Sequence, residues 1–249
     1  NAATFVLVFV GAQGLAPRSD PSAGTATVVA GATLAAGLAL GVVYVRRQRR
    51  LPLPLLPVDL LAIPIFRLSV ATSVMAFCAQ TLAAIALPFL LLERLQRSPA
   101  EAGWILAAWP LSTVAVAPLA ARLIGRVPGG LLGGVGLGLL AGGFVVLAAA
   151  PGAPTPTGFA LSLALCGLGW GLFQSPNNHT IVTAAPLHRA GGAAGMQSTA
   201  RLAGQAIEAA VIGLLYGLAG SGSAGVPATA LAVAAGCALA AAATSLLRL

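Results

Sequence analysis

The chain has 249 residues, of which 58% are hydrophobic and 7% are charged, and its formal net charge is +8. Soluble domains carry about 25% charged residues, so this composition excludes an ordinary soluble fold. It predicts an all-α, polytopic helical membrane protein, because about 20 apolar residues let a helix cross the hydrocarbon core. The arginines form no extended basic face beyond Arg46–Arg50, so we expect no nucleic acid as partner.

Eight apolar segments follow one another along the chain, and most of them reach the length of a membrane span. They are Asn1–Ala16, Ala23–Val45, Leu68–Leu92, Ala102–Ala121, Val127–Ala150, Thr157–Ala185, Ala190–Ala219 and Val226–Leu247. Asn1–Ala16 is short for a span, and no positively charged start or cleavage site marks it as a signal peptide. We expect it to be a truncated helix, and the chain to be the C-terminal part of a longer protein.

One loop, Arg46–Arg67, is long. Its four prolines prevent a continuous helix, although the rest of it is largely apolar. We expect an extended segment along the inner membrane surface, with its arginines on anionic headgroups, or a tether between two bundles, or both.

The arginines predict the orientation of the spans. Lysine is absent, and when the spans alternate, nine of the thirteen arginines fall on the side of Arg46–Arg67 and three on the other. Positive residues mark cytoplasmic loops, so we predict a cytoplasmic C-terminus. The uncharged loops Pro151–Pro156 and Gly220–Gly225 would lie outside.

Small residues predict where helices meet. Gly130, Gly134, Gly138 and Gly142 recur at every fourth position and would lay a flat groove along one helix face, where another backbone can approach closely. Gly37/Gly41 and Gly213/Gly217 repeat the spacing.

Signals for an enzyme or a cofactor are weak. The three cysteines lie in separate apolar segments and read as small buried residues, so no disulfide or metal site is expected. The sequence holds no GxSxG, no HExxH and no phosphate loop. Ser175 and His179 could suggest an intramembrane hydrolase, but no glycine-rich oxyanion loop flanks the serine. We predict a protein that is not an enzyme and that uses no cofactor.

The most specific stretch is Gly167–Ala209, which reads GLGWGLFQSPNNHTIVTAAPLHRAGGAAGMQSTARLAGQAIEA. We expect a span broken by Pro176, a short inner loop and a small-residue span. This stretch resembles the major facilitator superfamily, and specifically its fourteen-helix drug:proton antiporter branch. Three further stretches resemble the same branch in the expected order: Leu55–Ser69, Ser98–Pro110 and Pro118–Gly129. One departure is Gly125, where the family's loop motif usually has an aspartate before the arginine.

The resemblance implies two linker transmembrane helices in residues 1–45, the first of them truncated, a cytoplasmic surface-lying loop in residues 46–67 and a C-terminal six-helix transmembrane bundle in residues 68–249. It implies a secondary transporter of the plasma membrane that exports small amphipathic or cationic compounds in exchange for protons, by alternating access. Its partners would be a small-molecule substrate, protons, the lipid bilayer and the N-terminal half of the same protein. The alternatives are transport of a specific metabolite and a non-transporting membrane scaffold or sensor.

Polar residues within spans are costly in lipid and usually face a cavity or a partner. Arg201, Gln205 and Glu208 follow at i, i+4 and i+7, which is one stripe of a helix. Arg201 and Glu208 could pair through Gln205, or each could pair with another helix. A functional interpretation makes Glu208 a proton-titrating or cation-binding group, and a structural one makes it part of a helix–helix pair.

Further polar side chains lie in two other spans. Gln80 would line the central cavity or make one interhelical hydrogen bond. Gln174, Asn177, Asn178 and His179 flank Pro176, where they could line the inner half of a transport path or satisfy backbone groups freed by the proline.

Overall fold

The computed structural model describes residues 6–7, 10–11, 23–48, 57–149, 155–219 and 225–249. Within them the chain forms helices and short turns, with an isolated bridge between Ile124 and Val127 and no β-strand, so the all-α prediction is confirmed for this part. The helices are α1 Ala23–Gln48, α2 Pro64–Phe89, α3 Pro99–Leu123, α4 Gly129–Ala149, α5 Pro156–Ala184, α6 Ala190–Ala219 and α7 Val226–Leu246. Helices α2 to α7 are each long and apolar enough to cross a membrane.

The helix ends follow local sequence signals. Ser98 caps α3, because its hydroxyl accepts a hydrogen bond from the Glu101 amide at 3.3 Å while the Glu101 carboxylate accepts one from the Ser98 amide at 3.3 Å. Thr155 caps α5 by accepting from the Gly158 amide. Most predicted spans agree with these helices to within a few residues; Asn1–Ala16 lies almost wholly outside the described residues.

The predicted extended loop Arg46–Arg67 is corrected at both ends. Helix α1 continues through its first two arginines to Gln48, and Val58–Ala62 forms a 3₁₀ turn. Pro64 begins α2, so the last four residues of the predicted loop are helical; a proline fits the first turn because the amide it lacks would have no partner there. Residues 49–56 lie outside the described part.

The predicted break at Pro176 is also wrong, since α5 runs through this proline without interruption. Membrane helices tolerate proline where neighbouring groups satisfy the backbone that it frees. The group that Pro176 leaves without its usual amide donor is the Leu172 carbonyl oxygen, one turn earlier. The Thr180 hydroxyl donates instead to the carbonyl oxygen of Pro176 itself, at 2.9 Å.

One hydrophobic core lies mainly between four helices, with a smaller contribution from α3. Helix α2 packs on α7, α6 and, less extensively, α5; α5 packs on α3 and α4, and α4 packs on α7. The most apolar windows of α2, α4, α5 and α7 are 44–56% buried, whereas those of α3 and α6 are 17% and 11% buried. Helices α3 and α6 therefore lie at the periphery, with most of their surface uncovered by the rest of the described chain.

The predicted glycine groove does not form one contact face. A Cβ atom on Gly130 would lie 2.8 Å from the Ser245 carbonyl oxygen of α7, whereas one on Gly138 or Gly142 would meet nothing within 4 Å. Four residues advance a helix by about 40° beyond a full turn, so the stripe drifts by about 120° over its length. The tight crossing of α4 and α5 is made instead by Gly136, whose Cβ would lie 2.5 Å from the Gly169 carbonyl oxygen.

Candidate functional site

Helix α6 meets α2 along a line of small and apolar residues. Ala193, Met196, Ala200 and Gly204 are its buried positions before Glu208. A Cβ atom on Gly204 would lie 2.6 Å from the Val74 carbonyl oxygen, so the two backbones are in direct contact there. Because the backbones are so close at Gly204, the turn of α6 that follows it also lies near α2.

Glu208 occupies that next turn. Its side chain is 5% exposed, and its Oε1 atom has no hydrogen-bond partner among the described residues. The facing residue of α2 one turn before Glu208 is Cys78, whose amide nitrogen would lie 2.9 Å from a Cβ atom on Gly204. A buried carboxylate anion without a partner is costly, and a bound proton or cation would relieve that cost.

Arg201 and Glu208 do not form an ion pair in the described part of the chain. Arg201 is exposed, whereas Glu208 is buried. The two residues are two turns apart, a rise of about 10 Å along the helix axis. One turn before Gly204, the buried residue of α6 is Ala200. Arg201 is the next residue, so its side chain projects to one side of the contact between α6 and α2. Gln205 is half-buried between them.

The other predicted polar residues are not gathered around Glu208. Gln80, Gln174 and Asn178 are half-buried, and no side-chain hydrogen bond of theirs is present within the described residues. Two residues advance a helix by about 200°, so Gln80 leaves α2 on nearly the opposite side from Cys78. His179 is exposed.

Asn177 belongs to a different site, here termed the inner polar cluster after the predicted cytoplasmic side of the bundle. It consists of Ser69, Ser73, Asn177, Ser245 and Arg248. The amide nitrogen of Asn177 donates to the Ser73 hydroxyl at 2.8 Å, and its amide oxygen accepts from Arg248 at 2.6 Å. The amide therefore binds side chains of other elements rather than the backbone beside Pro176. Asn177 is 1% exposed.

Arg248 is the centre of this cluster. Its guanidinium donates to the Ser69 hydroxyl at 2.8 Å and to the Ser245 hydroxyl, which in turn donates to the Gly130 carbonyl oxygen at 2.9 Å. These bonds join α2, α4, α5 and the end of α7. Burial lowers the pKa of Arg248 to about 10, so it remains protonated at neutral pH.

The inner polar cluster was not predicted from the sequence. Ser69 and Ser73 are spaced four residues apart on one face of α2, which was an available signal for a polar contact. Arg248, however, looks like one more cytoplasmic arginine until the tertiary structure brings hydroxyl and amide groups to it.

An ion pair joins two turns outside the spans. Arg189, in the 3₁₀ turn Leu187–Arg189 between α5 and α6, donates from Nη2 to Asp59 Oδ1 at 3.0 Å. Asp59 lies in the 3₁₀ turn before α2. The pair therefore joins two segments that are far apart in sequence.

Comparisons with known proteins agree with this helical, membrane-spanning structure. The chain is 48% identical over 215 residues to the uncharacterized transporter YebQ of Escherichia coli (strain K12), a match that covers 86% of this chain and 46% of that protein. It is 26% identical to the multidrug efflux pump LfrA of Mycolicibacterium smegmatis, over 76% of this chain and 38% of the pump. It is 29% identical to the multidrug resistance protein Stp of Mycobacterium tuberculosis, over 83% of this chain and 38% of that protein.

The chain thus spans less than half the length of these relatives. The family model described as Major Facilitator Superfamily matches residues 2–209 and 68–249. This agrees with the family resemblance of the sequence motifs, and the named efflux proteins are consistent with the drug-antiporter branch. The chain is a multi-pass membrane protein that belongs to the major facilitator superfamily of transporters.

Proposed function

We propose that this chain is part of a proton-coupled exporter of small amphipathic or cationic compounds, working by alternating access in the cell membrane. In this proposal residues 68–249 are its C-terminal six-helix bundle, residues 46–67 a cytoplasmic segment and residues 1–45 two linker helices. The C-terminus is cytoplasmic, as the arginine distribution favours. The named multidrug relatives support an exporter of this substrate class.

The observation that carries the proposal is the buried, unpartnered carboxyl group of Glu208. A transporter driven by a proton gradient needs a group that takes up a proton or a cationic substrate on one side and releases it on the other. Glu208 lies within a span, away from solvent, and no described residue compensates its charge. Among the described residues, no other acidic side chain of a span is buried.

The uncovered side of α6 supports a second bundle. Ser198 and Arg201 are exposed there, and Gln205 is half-buried. An arginine that faces hydrocarbon lipid at this depth is costly. We therefore expect this side to face a water-filled cavity that the N-terminal half of the transporter completes.

The test compares Glu208→Gln with Glu93→Gln in the protein expressed at its natural full length. Glu93 is an exposed acid near the end of α2 and serves as the matched control. In inverted vesicles, a pH gradient should drive uptake of a fluorescent lipophilic cation by the parent protein and by Glu93→Gln. We expect Glu208→Gln to lose at least about tenfold in the pH-driven rate, the effect typical of a removed proton-transfer group.

Counterflow, the exchange of the dye against unlabelled dye without a pH gradient, distinguishes a role of Glu208 in proton transfer from a role in binding the dye. If Glu208→Gln keeps counterflow but loses pH-driven uptake, Glu208 carries the proton. Full pH-driven uptake by this variant, with normal folded yield, rejects the proton-site role. A parent protein that moves no lipophilic cation but exchanges an anionic or neutral metabolite would support the metabolite transporter, and one that moves neither would support the scaffold.

A further inference from the structure

The segment Pro57–Ile63, here termed the inner strap, packs across the turn between α5 and α6. Its Asp59 carboxylate accepts the hydrogen bond from Arg189 at 3.0 Å. The ring of Pro57 lies 3.4 Å from the position that a Cβ atom on Gly192 would take, so it rests on the first turn of α6.

The inner strap also has a hydrophobic attachment. Leu60 is 4% exposed and packs in a small cluster separate from the main core. The buried members of this cluster are Leu60, Phe66, Ile181, Ala185, Ala193 and Met196. In this cluster the inner strap meets three other elements: the start of α2, the end of α5 and the start of α6.

These contacts matter because α6 has few others. The main core contains fully buried residues of α2, α3, α4, α5 and α7, whereas α6 contributes only partly buried residues such as Val211, Ile212 and Leu215. Those residues lie in the second half of α6. The first half is held by Gly204 and neighbouring small residues against α2 and by the inner strap.

The ion pair between Asp59 and Arg189 can separate at a low cost in free energy. The Asp59 side chain is 48% exposed and that of Arg189 is 13% exposed. Ion pairs with this much solvent access contribute about 0.2–1 kcal/mol, because water solvates the separated charges well. Breaking the pair therefore costs little, while the charges still select one docked position.

We propose that the inner strap is a cytoplasmic latch for α6. With Asp59 paired to Arg189, it holds the first half of α6 against α2 and α5; when the pair separates, that half of α6 moves outward and opens the inner side of the bundle. The latch rests on the proposed alternating-access function, for which it supplies a point of control at the inner mouth.

The test uses charge reversal in the full-length protein, with the native cysteines replaced and Ser198→Cys as reporter. Ser198 is exposed on the first half of α6. Labelling by a membrane-impermeant maleimide is followed in inverted vesicles. We expect Asp59→Arg and Arg189→Asp each to raise the labelling rate about threefold, the change expected for losing an exposed ion pair.

The double variant Asp59→Arg/Arg189→Asp restores the pair with the charges exchanged and should return the rate to within about 1.5-fold of the parent. Arg126→Asp, which reverses an exposed arginine in the turn between α3 and α4, is the matched control and should change nothing. Should a reversal lower the folded yield, Asp59→Asn and Arg189→Gln test the same contact and should raise labelling by about the same factor.

Unchanged labelling in the single variants, or no restoration in the double variant, overturns the latch. The assay needs no substrate, so its result is independent of the proposed function. If the single variants raise the labelling rate, the double variant restores it and the protein moves no substrate, the latch is supported and the exporter is rejected. If transport is normal and the labelling rate never responds, the exporter is supported and the latch is rejected.

Discussion

The crossing of α4 and α5 at Gly136 and Gly169 allows a sharp test of the packing. In Gly136→Ala, the new methyl group would lie 2.5 Å from the Gly169 carbonyl oxygen and 2.9 Å from the Phe173 amide nitrogen. Both neighbours are backbone atoms, which cannot rotate away. In the matched control Gly138→Ala, on the same helix, the methyl group meets nothing within 4 Å.

The size of the effect follows from the geometry. Ordinary contact begins near 3.4 Å, so α4 and α5 must separate by about 0.9 Å to admit the methyl group. Overpacking of this kind costs about 1–3 kcal/mol in free energy of unfolding. The gain in helix propensity from replacing glycine, up to about 1 kcal/mol, is common to both variants and cancels between them. At about 2–4 °C per kcal/mol for a chain of this length, a central cost of about 2 kcal/mol corresponds to about 4–8 °C.

The assay is thermal unfolding in detergent, read by a dye that fluoresces on reaction with thiols. Cys78 and Cys166 are free and buried, so they react when the bundle opens. Gly136→Ala should unfold about 4–8 °C below Gly138→Ala. Gly169→Ala should behave like Gly136→Ala, and the double variant should lose less than the sum, because the first methyl group already separates the helices. Equal midpoints for Gly136→Ala and Gly138→Ala would refute the close crossing.

Three further predictions concern the inner polar cluster, the topology and the isolated chain. Arg248→Gln should lower the free energy of unfolding by about 2 kcal/mol. At position 177, the variant with aspartate should be at least as stable as the parent with asparagine, and both should be more stable than the variant with alanine, because only aspartate and asparagine give Arg248 an acceptor. An alanine variant that unfolds at the same temperature as the parent would contradict the cluster. In a cysteine-free background, an impermeant reagent should label Arg94→Cys in intact cells and His188→Cys only in inverted vesicles, and the reverse pattern would overturn the orientation. Residues 1–249 reconstituted alone should drive no dye efflux, since the substrate site needs two bundles; pH-driven efflux by this chain would reject the two-bundle arrangement.

Within the described residues, the type and limits of the membrane helices could be predicted from the sequence. The span Ala190–Ala219 has the same limits in prediction and structure, and Val226–Leu247 differs by one residue. In lipid every backbone polar group needs an internal partner, so an apolar segment of about 20 residues has one accessible structure, the helix. Local composition is then sufficient, and the arginine count adds an orientation that the structure does not test.

Local rules for proline did not give the helix limits at two positions. Pro176 was expected to break its span because proline removes a backbone hydrogen bond, but α5 continues through it, with Pro176 buried among the neighbouring helices. Pro64 was counted among the prolines that prevent a continuous helix through Arg46–Arg67, and it begins α2 within that predicted loop.

Which faces meet, and which polar groups find partners, was decided only by the tertiary structure. The stripe from Gly130 to Gly142 is regular in sequence, yet its two ends point about 120° apart, so one end packs on α7 and the other on nothing described. Arg201 and Glu208 share a stripe, but only Glu208 is buried. The depth and angle at which helices cross depend on many weak contacts between distant residues, and no local pattern encodes them. Hydropathy along the chain therefore determined that this protein spans the membrane in helices. Only the way in which the helices cross decided that Glu208 is buried without a hydrogen-bond partner at Oε1 and that Arg248 has neutral hydrogen-bond partners.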